Sequence, residues 1–203
     1  MPLRRLILGC ALVAACAAQA ADREPASGSP PSYAPLSLWT RVAADPPATL
    51  LAVGDRAPLF SYLGPEGGWH EFSDLSAEGP VLLVFGATEA DLKKLEASRP
   101  AFSALGVNPA VVVDMRAGSA ARLARRLRLS LPIISDPVCA IGGLYNSLSS
   151  ASLRHAPAFF LVDRNRTLRV VARGSLPPAS RIIELSAHAL GQPVPESGRT
   201  PSS

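Results

Sequence analysis

Cysteine is scarce in this chain of 203 residues, which contains three cysteines in all. Cys10 and Cys16 lie near the amino terminus, in a segment with the pattern of an export signal. Removal of that segment leaves Cys139 as the only thiol, or Cys139 together with an acylated Cys16. An intramolecular disulfide is therefore excluded in the processed chain, although an exported protein meets oxidising conditions.

A strong excess of one charge is also lacking. The net charge is +4, and loss of Arg4 and Arg5 with the leader leaves eighteen basic and sixteen acidic residues, a net charge of +2. A balance this small does not favour nucleic acid as a partner. Neither a Ser-His-Asp arrangement nor a glycine-rich phosphate loop is present. No cofactor is predicted, and His70 and His188 have no Cys, Asp or Glu at metal-ligand spacing.

The first twenty residues have the pattern of a secretory signal peptide. A basic start precedes the apolar run Leu6–Ala15, which is too short to span a bilayer, and a small-x-small cleavage site ends at Ala20. Export to the periplasm is therefore predicted for this protein. A second interpretation stays open, because Leu12–Cys16 resembles a bacterial lipobox. In that case an acylated Cys16 anchors the protein to a membrane, facing the periplasm.

The remaining chain divides by composition. Residues 21–51 are rich in Pro, Ala and Ser and predict a flexible spacer, with a short helical turn around residues 36–44. Residues 192–203 predict a disordered tail. One domain, residues 52–191, lies between them, and the chain's hydrophobic content of 48% is enough for one core.

The domain is organised around a strand that is followed directly by a helix. The apolar run Val81–Phe85 predicts a strand buried on both faces. Thr88 is placed to cap the next helix, in which Leu92 and Leu95 recur at helical spacing. Before this strand, the pattern predicts a hairpin arm at 69–72 and a turn at 73–75. After it, the pattern predicts a strand at 110–113 and a helix at 119–129 with outward arginines. A hairpin over 156–171 and a final helix ending at Gly191 complete the domain.

Three motifs occur in the order and spacing of a known family. Val53–Phe60 reads Val-Gly-Asp-Arg-Ala-Pro-Leu-Phe, Leu131–Pro137 contains Ser-Asp-Pro, and Ala156–Asp163 contains Pro-x-x-Phe-Leu-Val-Asp. With the central strand, these motifs resemble the peroxiredoxin-like family (alkyl hydroperoxide reductase and thiol-specific antioxidant) of thioredoxin-fold redoxins. The resemblance implies an α/β thioredoxin-like fold, a central mixed β-sheet flanked by helices on both faces.

The same resemblance shows which active-site residues are missing. The family's cysteines align with Ala90 and Lys93 in the thioredoxin-like pattern, with Lys94 in the peroxiredoxin pattern, and with Ala90 and Lys94 in the Sco-type copper-chaperone pattern. His155 aligns with the copper-binding histidine of Sco-type proteins, but a copper site of that kind needs soft thiolates. His155 is therefore predicted to be an exposed loop residue, and no metal site is predicted.

The first functional hypothesis is a redox-inactive domain that binds an unidentified protein of the cell envelope in the groove of the former active site. The residues expected to form this groove are Thr88, Glu89, Ala90, Asp91, Lys93, Lys94 and Pro157. The carboxylates of Glu89 and Asp91 are expected to turn the groove toward a basic or neutral partner.

The second hypothesis is a thiol-dependent antioxidant or oxidoreductase that uses Cys139. Asp136 is expected to cap a new helix with Pro137 as its first residue, which puts Cys139 in the first helical turn. A thiolate is favoured at such a position, and the side chain is expected to be reachable by solvent.

The leader provides a direct test of the two export interpretations. Cleavage after Ala20 predicts that Cys16→Ser leaves the distribution between soluble and membrane fractions unchanged, and this is the result that we expect. Acylation predicts instead that the substitution releases the protein from the membrane, because each buried CH₂ of a lipid anchor contributes about 0.8 kcal/mol. Fractionation followed by immunoblotting distinguishes the two.

Overall fold

The computed structural model describes residues 40–42, 50–64 and 67–196. The predicted signal peptide, Cys16 and residues 197–203 lie outside the described residues, as does most of the spacer. In these ranges the elements are β1 (Thr40–Val42), β2 (Phe60–Leu63), β3 (Trp69–Glu71), α1 (Phe72–Glu78), β4 (Val81–Phe85), α2 (Glu89–Ala97), α3 (Arg99–Ala104), β5 (Asn108–Val113), α4 (Ala117–Leu127), β6 (Ile133–Ser135), α5 (Ala140–Leu144), β7 (Ala158–Val162), β8 (Leu168–Arg173) and α6 (Ala179–Ala189). None of these helices is long and apolar enough to cross a bilayer.

A five-stranded mixed sheet in the order β6-β5-β4-β7-β8 forms the centre of the domain. β4, β5 and β6 run parallel, whereas β7 is antiparallel to β4 and β8 is antiparallel to β7. Every side chain of β4 is fully buried, as the apolar run Val81–Phe85 predicts. A second, antiparallel sheet is formed by β1, β2 and β3.

The alternation of side chains along β4 divides the core into two clusters. One cluster contains Leu83 and Phe85 with the aromatic residues Phe60, Phe72, Tyr145 and Phe160. The other contains Leu82 and Val84 with Phe102, Phe159 and Ile182. Helices α1 and α5 contribute to the first cluster, and α2, α3, α4 and α6 contribute to the second. The predicted mixed sheet with helices on both faces is confirmed.

Two local predictions are wrong. Residues 40–42, expected within a helical turn, form β1 and pair with residues 60–62 of β2. Residues 73–75, expected to be a turn, belong to α1. The start of α1 is capped by a hydrogen bond that the backbone N–H of Glu71 donates to Asp74 Oδ2 at 2.9 Å. Both segments are short, so strand pairing in one and burial of Phe72 in the other override the local pattern.

The helix after β4 begins where the sequence predicts. Thr88 is the N-cap of α2, and its Oγ1 accepts a hydrogen bond from the backbone N–H of Asp91 at 3.2 Å. Asp91 Oδ2 in turn accepts one from the backbone N–H of Thr88 at 3.0 Å. This capping box satisfies two backbone donors at the helix start. It also engages the Asp91 carboxylate within the first helical turn.

The turn between β4 and α2 lies against the segment that precedes β7. Gly86 has φ +62°, and a Cβ built there would lie 2.6 Å from the carbonyl carbon of Ala156 and 2.7 Å from the nitrogen of Pro157. Glycine adopts this backbone conformation without strain and is the only residue that permits so close an approach. The contact places Pro157 beside the β4–α2 turn.

Gly86→Ala is expected to destabilise the domain by about 2–5 kcal/mol, combining about 1–2 kcal/mol for the positive φ with about 1–3 kcal/mol for the overpacked contact. Gly106→Ala is a matched control, because Gly106 has φ +63° but nothing within 4 Å of an added Cβ. The control should therefore lose only the φ contribution. Urea denaturation of both variants measures the difference, and equal losses would contradict a tight contact at Pro157.

Candidate functional site

An open cavity of about 720 Å³ lies at the carboxyl ends of β4 and β5, and we call it the β4–β5 groove. Ligands of open α/β sheets bind outside the carboxyl ends of the strands, in pockets of about 300–1,000 Å³. The lining residues are Gly86, Ala87, Glu89 and Leu92 from the β4–α2 segment, Val112, Val113, Asp114 and Met115 at the end of β5, Ser119, Arg122, Leu123 and Arg126 on α4, and His155.

A bidentate ion pair connects the two helices that border the groove. Arg126 on α4 donates from Nη1 to Glu89 Oε2 at 2.8 Å and from Nη2 to Glu89 Oε1 at 2.5 Å. The hydrogen bond from the Arg126 guanidinium holds the pKa of the Glu89 carboxyl below its usual range. Glu89 is therefore an anion whose charge is already paired inside the domain, although both side chains are more than half exposed.

A second ion pair lies at the end of β5. Arg154 donates from Nε to Asp114 Oδ2 at 2.6 Å, and this hydrogen bond holds the pKa of the Asp114 carboxyl below its usual range. Sequence reasoning missed Asp114 as a groove residue. A usable signal was present, because Asp114 directly follows a buried strand that is parallel to β4, and the carboxyl ends of parallel strands meet at one edge.

The structure separates the residues that the sequence assigns to one groove. Glu89 lines the β4–β5 groove, whereas Asp91 and Lys94 line a smaller cavity of about 130 Å³ beside α6. Thr88, Ala90 and Lys93 are exposed and line neither cavity. With Glu89 paired and Asp91 in the capping box, the acidic helix start does not make the β4–β5 groove negative.

The Asp136 carboxylate is completely buried and lies next to His155, which lines the groove. Its Oδ1 accepts a hydrogen bond from the backbone N–H of Ala140 at 2.8 Å, and its Oδ2 accepts one from the backbone N–H of Gly142 at 2.9 Å. Oδ2 also lies 2.9 Å from His155 Nε2. Among the described residues, two backbone N–H groups and a histidine ring therefore surround one buried carboxylate.

The prediction that His155 is an exposed loop residue is wrong, since its side chain is only 2% exposed. The ring packs against Phe85 in a T-shaped arrangement, with centroids 5.4 Å apart. A Cβ added at position 142 would lie 2.6 Å from His155 Cδ2. Because the Asp136 carboxylate accepts from Nε2, the other ring nitrogen is Nδ1, and it is buried without a hydrogen-bond partner among the described residues. Glycine at position 142 leaves the space for the ring. No local pattern indicates this pairing.

Metal-ligating groups are not gathered at this site. Among the described residues, no group of three or more His, Cys, Asp or Glu side chains is arranged to hold a metal ion. The carboxylates nearest the groove are instead engaged by Arg126, Arg154 and His155.

A family model and the solved structures agree with this architecture. The model described as AhpC/TSA family matches residues 53–171, more than half of the chain. The chain belongs to the AhpC/TSA family. No curated protein sequence matches the chain significantly.

Solved AhpC/TSA-like structures superpose at low identity. The peroxidoxin BcpB of Mycobacterium tuberculosis has a TM-score of 0.57 and 17% identity, over 75% of this chain and 99% of its own. AhpC of Enterococcus faecalis has a TM-score of 0.59 and 14% identity, over 67% and 91%. A PrxQ mutant of Xylella fastidiosa has a TM-score of 0.58 and 14% identity, over 70% and 99%. Likeness at these identities establishes the shared fold.

Cys139 of this AhpC/TSA domain is not placed as the sequence predicts. Helix α5 begins at Ala140, and Cys139 is its N-cap residue with φ +57°. The Asp136 side chain does reach the first helical N–H groups, but from outside the helix, so the intervening turn directs Val138 outward and Cys139 inward. Cys139 is 8% exposed, and the expectation of a solvent-reachable thiol in the first turn is wrong.

The environment of Cys139 opposes ionisation. Burial, followed by the negative charges of Asp136 and Asp114, raises the pKa of the Cys139 thiol to about 11. The charge of Arg154 and a hydrogen bond from the backbone of His155 lower the pKa, but by less than burial and the carboxylates raise it. In nucleophilic cysteines the stabilisation of the thiolate dominates instead. At neutral pH this thiol is protonated and shielded.

Alkylation of Cys139 by iodoacetamide is expected to be slow at pH 7 and to accelerate with pH through a midpoint of about 11, because only the thiolate reacts. The measurement uses a Cys10→Ser/Cys16→Ser variant, with mass spectrometry as the readout. Val138→Cys with Cys139→Ser is the matched control, since position 138 is 49% exposed and should titrate near the ordinary value of about 8.5. A midpoint near 8.5 for Cys139 itself would contradict the buried environment.

Proposed function

We propose that this AhpC/TSA protein is an exported, redox-inactive domain that binds a protein partner of the cell envelope through the β4–β5 groove. The observation that carries the proposal is the state of Cys139, the one cysteine of the described residues. Burial, followed by the charges of Asp136 and Asp114, raises the pKa of this thiol to about 11, so it is protonated at neutral pH.

Loss of the family's cysteines supports the same conclusion. The positions at which the family resemblance places cysteines hold Ala90, Lys93 and Lys94, and no cysteine occurs between residues 17 and 138. Peroxide reduction needs a thiolate as nucleophile and donors aimed at the developing charge. The start of α2 offers no thiolate, and the capping box engages the backbone N–H groups of Thr88 and Asp91.

Persistence of the groove supports a binding role. Its volume of about 720 Å³ is in the range that accommodates ligands, and its largely apolar lining carries the charged side chains of Glu89, Asp114, Arg122 and Arg126. One ion pair, between Glu89 and Arg126, connects the two helices that border the groove, and a second joins the groove residue Asp114 to Arg154. The signal-like leader supports export, which places the partner in the envelope.

The redox part of the proposal is tested by peroxide consumption. The purified protein, supplied with dithiothreitol and hydrogen peroxide, is expected to consume peroxide at the same rate as Cys139→Ser and as buffer alone. An active peroxiredoxin assayed in parallel shows that the conditions support turnover. Consumption that exceeds buffer and is lost in Cys139→Ser would overturn the redox-inactive assignment.

The binding part is tested by site-specific photocrosslinking in the native envelope. A benzoylphenylalanine at position 87, which lines the groove, is expected to crosslink a discrete partner. The same residue at position 97, exposed at the end of α2, should not crosslink it. Ser119→Trp, which narrows the groove from the α4 wall, should abolish the crosslink. Identical crosslinks from positions 87 and 97 would contradict the groove as the binding surface.

A further inference from the structure

The charges along the β4–β5 groove do not balance. Both carboxylates that line it are already paired, Glu89 with Arg126 and Asp114 with Arg154. Arg122 also lines the groove, and its one hydrogen bond among the described residues is from Nη2 to Ser119 Oγ at 2.9 Å. A hydroxyl leaves the guanidinium's charge uncompensated. Among the residues that the structure describes, the groove is therefore lined by one guanidinium that no carboxylate pairs and whose four other donor hydrogens are unused.

Helix α4 extends this positive character beyond the groove. Five arginines lie between positions 116 and 128, and no Asp or Glu occurs in that stretch. Of the five, Arg126 alone forms an ion pair among the residues that the structure describes. The sequence by itself is compatible with a solvated helix face. In the structure, Arg122 and Arg126 line a concave site. Their positive charges there act on a group bound in the groove as well as on bulk solvent.

The Glu89–Arg126 pair is an example of a carboxylate bound by an arginine of the α4 wall. A guanidinium of α4 holds a carboxylate from the opposite wall in the two-pronged geometry that matches arginine to carboxylate. Arg122 lies one helical turn before Arg126 and has no such carboxylate in the described part of the chain. An incoming carboxylate would complete at Arg122 the arrangement that Glu89 provides at Arg126.

We infer that the β4–β5 groove receives an acidic peptide segment of the protein partner, with an Asp, Glu or carboxyl-terminal carboxylate bound by Arg122. The inference rests on the proposed binding function and names the chemistry of its partner. A membrane surface is a poorer match, because Arg122 lines a concave groove that a flat bilayer does not enter, whereas a peptide side chain does. Unpaired arginines on the outer face of α4 would steer such a peptide toward the groove.

The test uses fluorescence anisotropy with two labelled probes, a hexaglutamate and a hexalysine peptide, on the purified protein. Saturable binding of hexaglutamate, and none of hexalysine, is the expected result. Arg122→Gln should weaken binding about tenfold, the scale of a lost charge-assisted contact. Arg125→Gln is the matched control, because it removes the same charge from the same helix at a position that does not line the groove. Its binding should change less than twofold.

A second variant moves affinity in the opposite direction. Glu89→Gln removes the internal carboxylate and leaves Arg126 as a second free guanidinium in the groove, so hexaglutamate should bind more tightly, by about threefold or more. Circular dichroism melting of each variant verifies folding. Equal weakening by Arg122→Gln and Arg125→Gln, preferential binding of hexalysine, or weaker binding by Glu89→Gln would overturn the inference. Binding to phosphatidylglycerol vesicles without binding to hexaglutamate would also overturn it.

The Ser119→Trp variant, which narrows the groove, distinguishes failure of this inference from failure of the proposed function. If Ser119→Trp abolishes the crosslink to the native partner while Arg122→Gln does not weaken it, the groove is a binding site but its ligand is not acidic. If the crosslink from position 87 survives Ser119→Trp, the groove itself is not the binding surface and the proposed function fails. Loss of the crosslink in both variants, and its retention in Arg125→Gln, supports both.

Discussion

The buried carboxylate of Asp136 is the interaction on which this part of the domain depends. It accepts hydrogen bonds from two backbone N–H groups at the start of α5 and pairs with the ring of His155. Each of these donors would otherwise be buried without a partner, at a cost of about 1–3 kcal/mol apiece. One side chain therefore determines where α5 begins, how the His155 ring is oriented and which way Cys139 points. The His155 ring then contacts Phe85 of the central strand, which links this cluster to the core.

The state of Cys139 illustrates two opposing effects at a helix start. A thiol beside the first N–H groups of a helix is normally acidified by the helix dipole and by free donors. Here α5 has only five residues, and Asp136 accepts hydrogen bonds from two of its N–H groups. Burial and the neighbouring carboxylates therefore dominate, and the pKa of the thiol rises to about 11. A cysteine at a helix start is consequently not sufficient for thiol chemistry, since the direction of the pKa shift depends on what else surrounds the sulfur.

Several features of the AhpC/TSA fold surround the start of α2, where the sequence has no cysteine. The central sheet, the close packing of Gly86 on Pro157 and the capped start of α2 are all in place. These features depend on backbone geometry and apolar burial, and not on the presence of a cysteine at this position. Beside them lies the β4–β5 groove, across which Glu89 pairs with Arg126. A surface of this kind can bind a partner without performing a reaction.

The sequence by itself determined the elements whose signals are local. Val81–Phe85 is apolar on both faces and becomes the central strand, and Thr88 precedes a helical repeat and becomes its N-cap. The motif order from Val53 to Asp163 predicted the sheet and the family. The tertiary structure decided the site, because its interactions join residues far apart in the chain. Asp136 and His155 are 19 positions apart, Glu89 and Arg126 are 37 apart, and Asp114 and Arg154 are 40 apart. Pairs of this kind underlie the burial of His155, the neutralisation of Glu89 and the raised pKa of the Cys139 thiol. No local periodicity of the sequence encodes them.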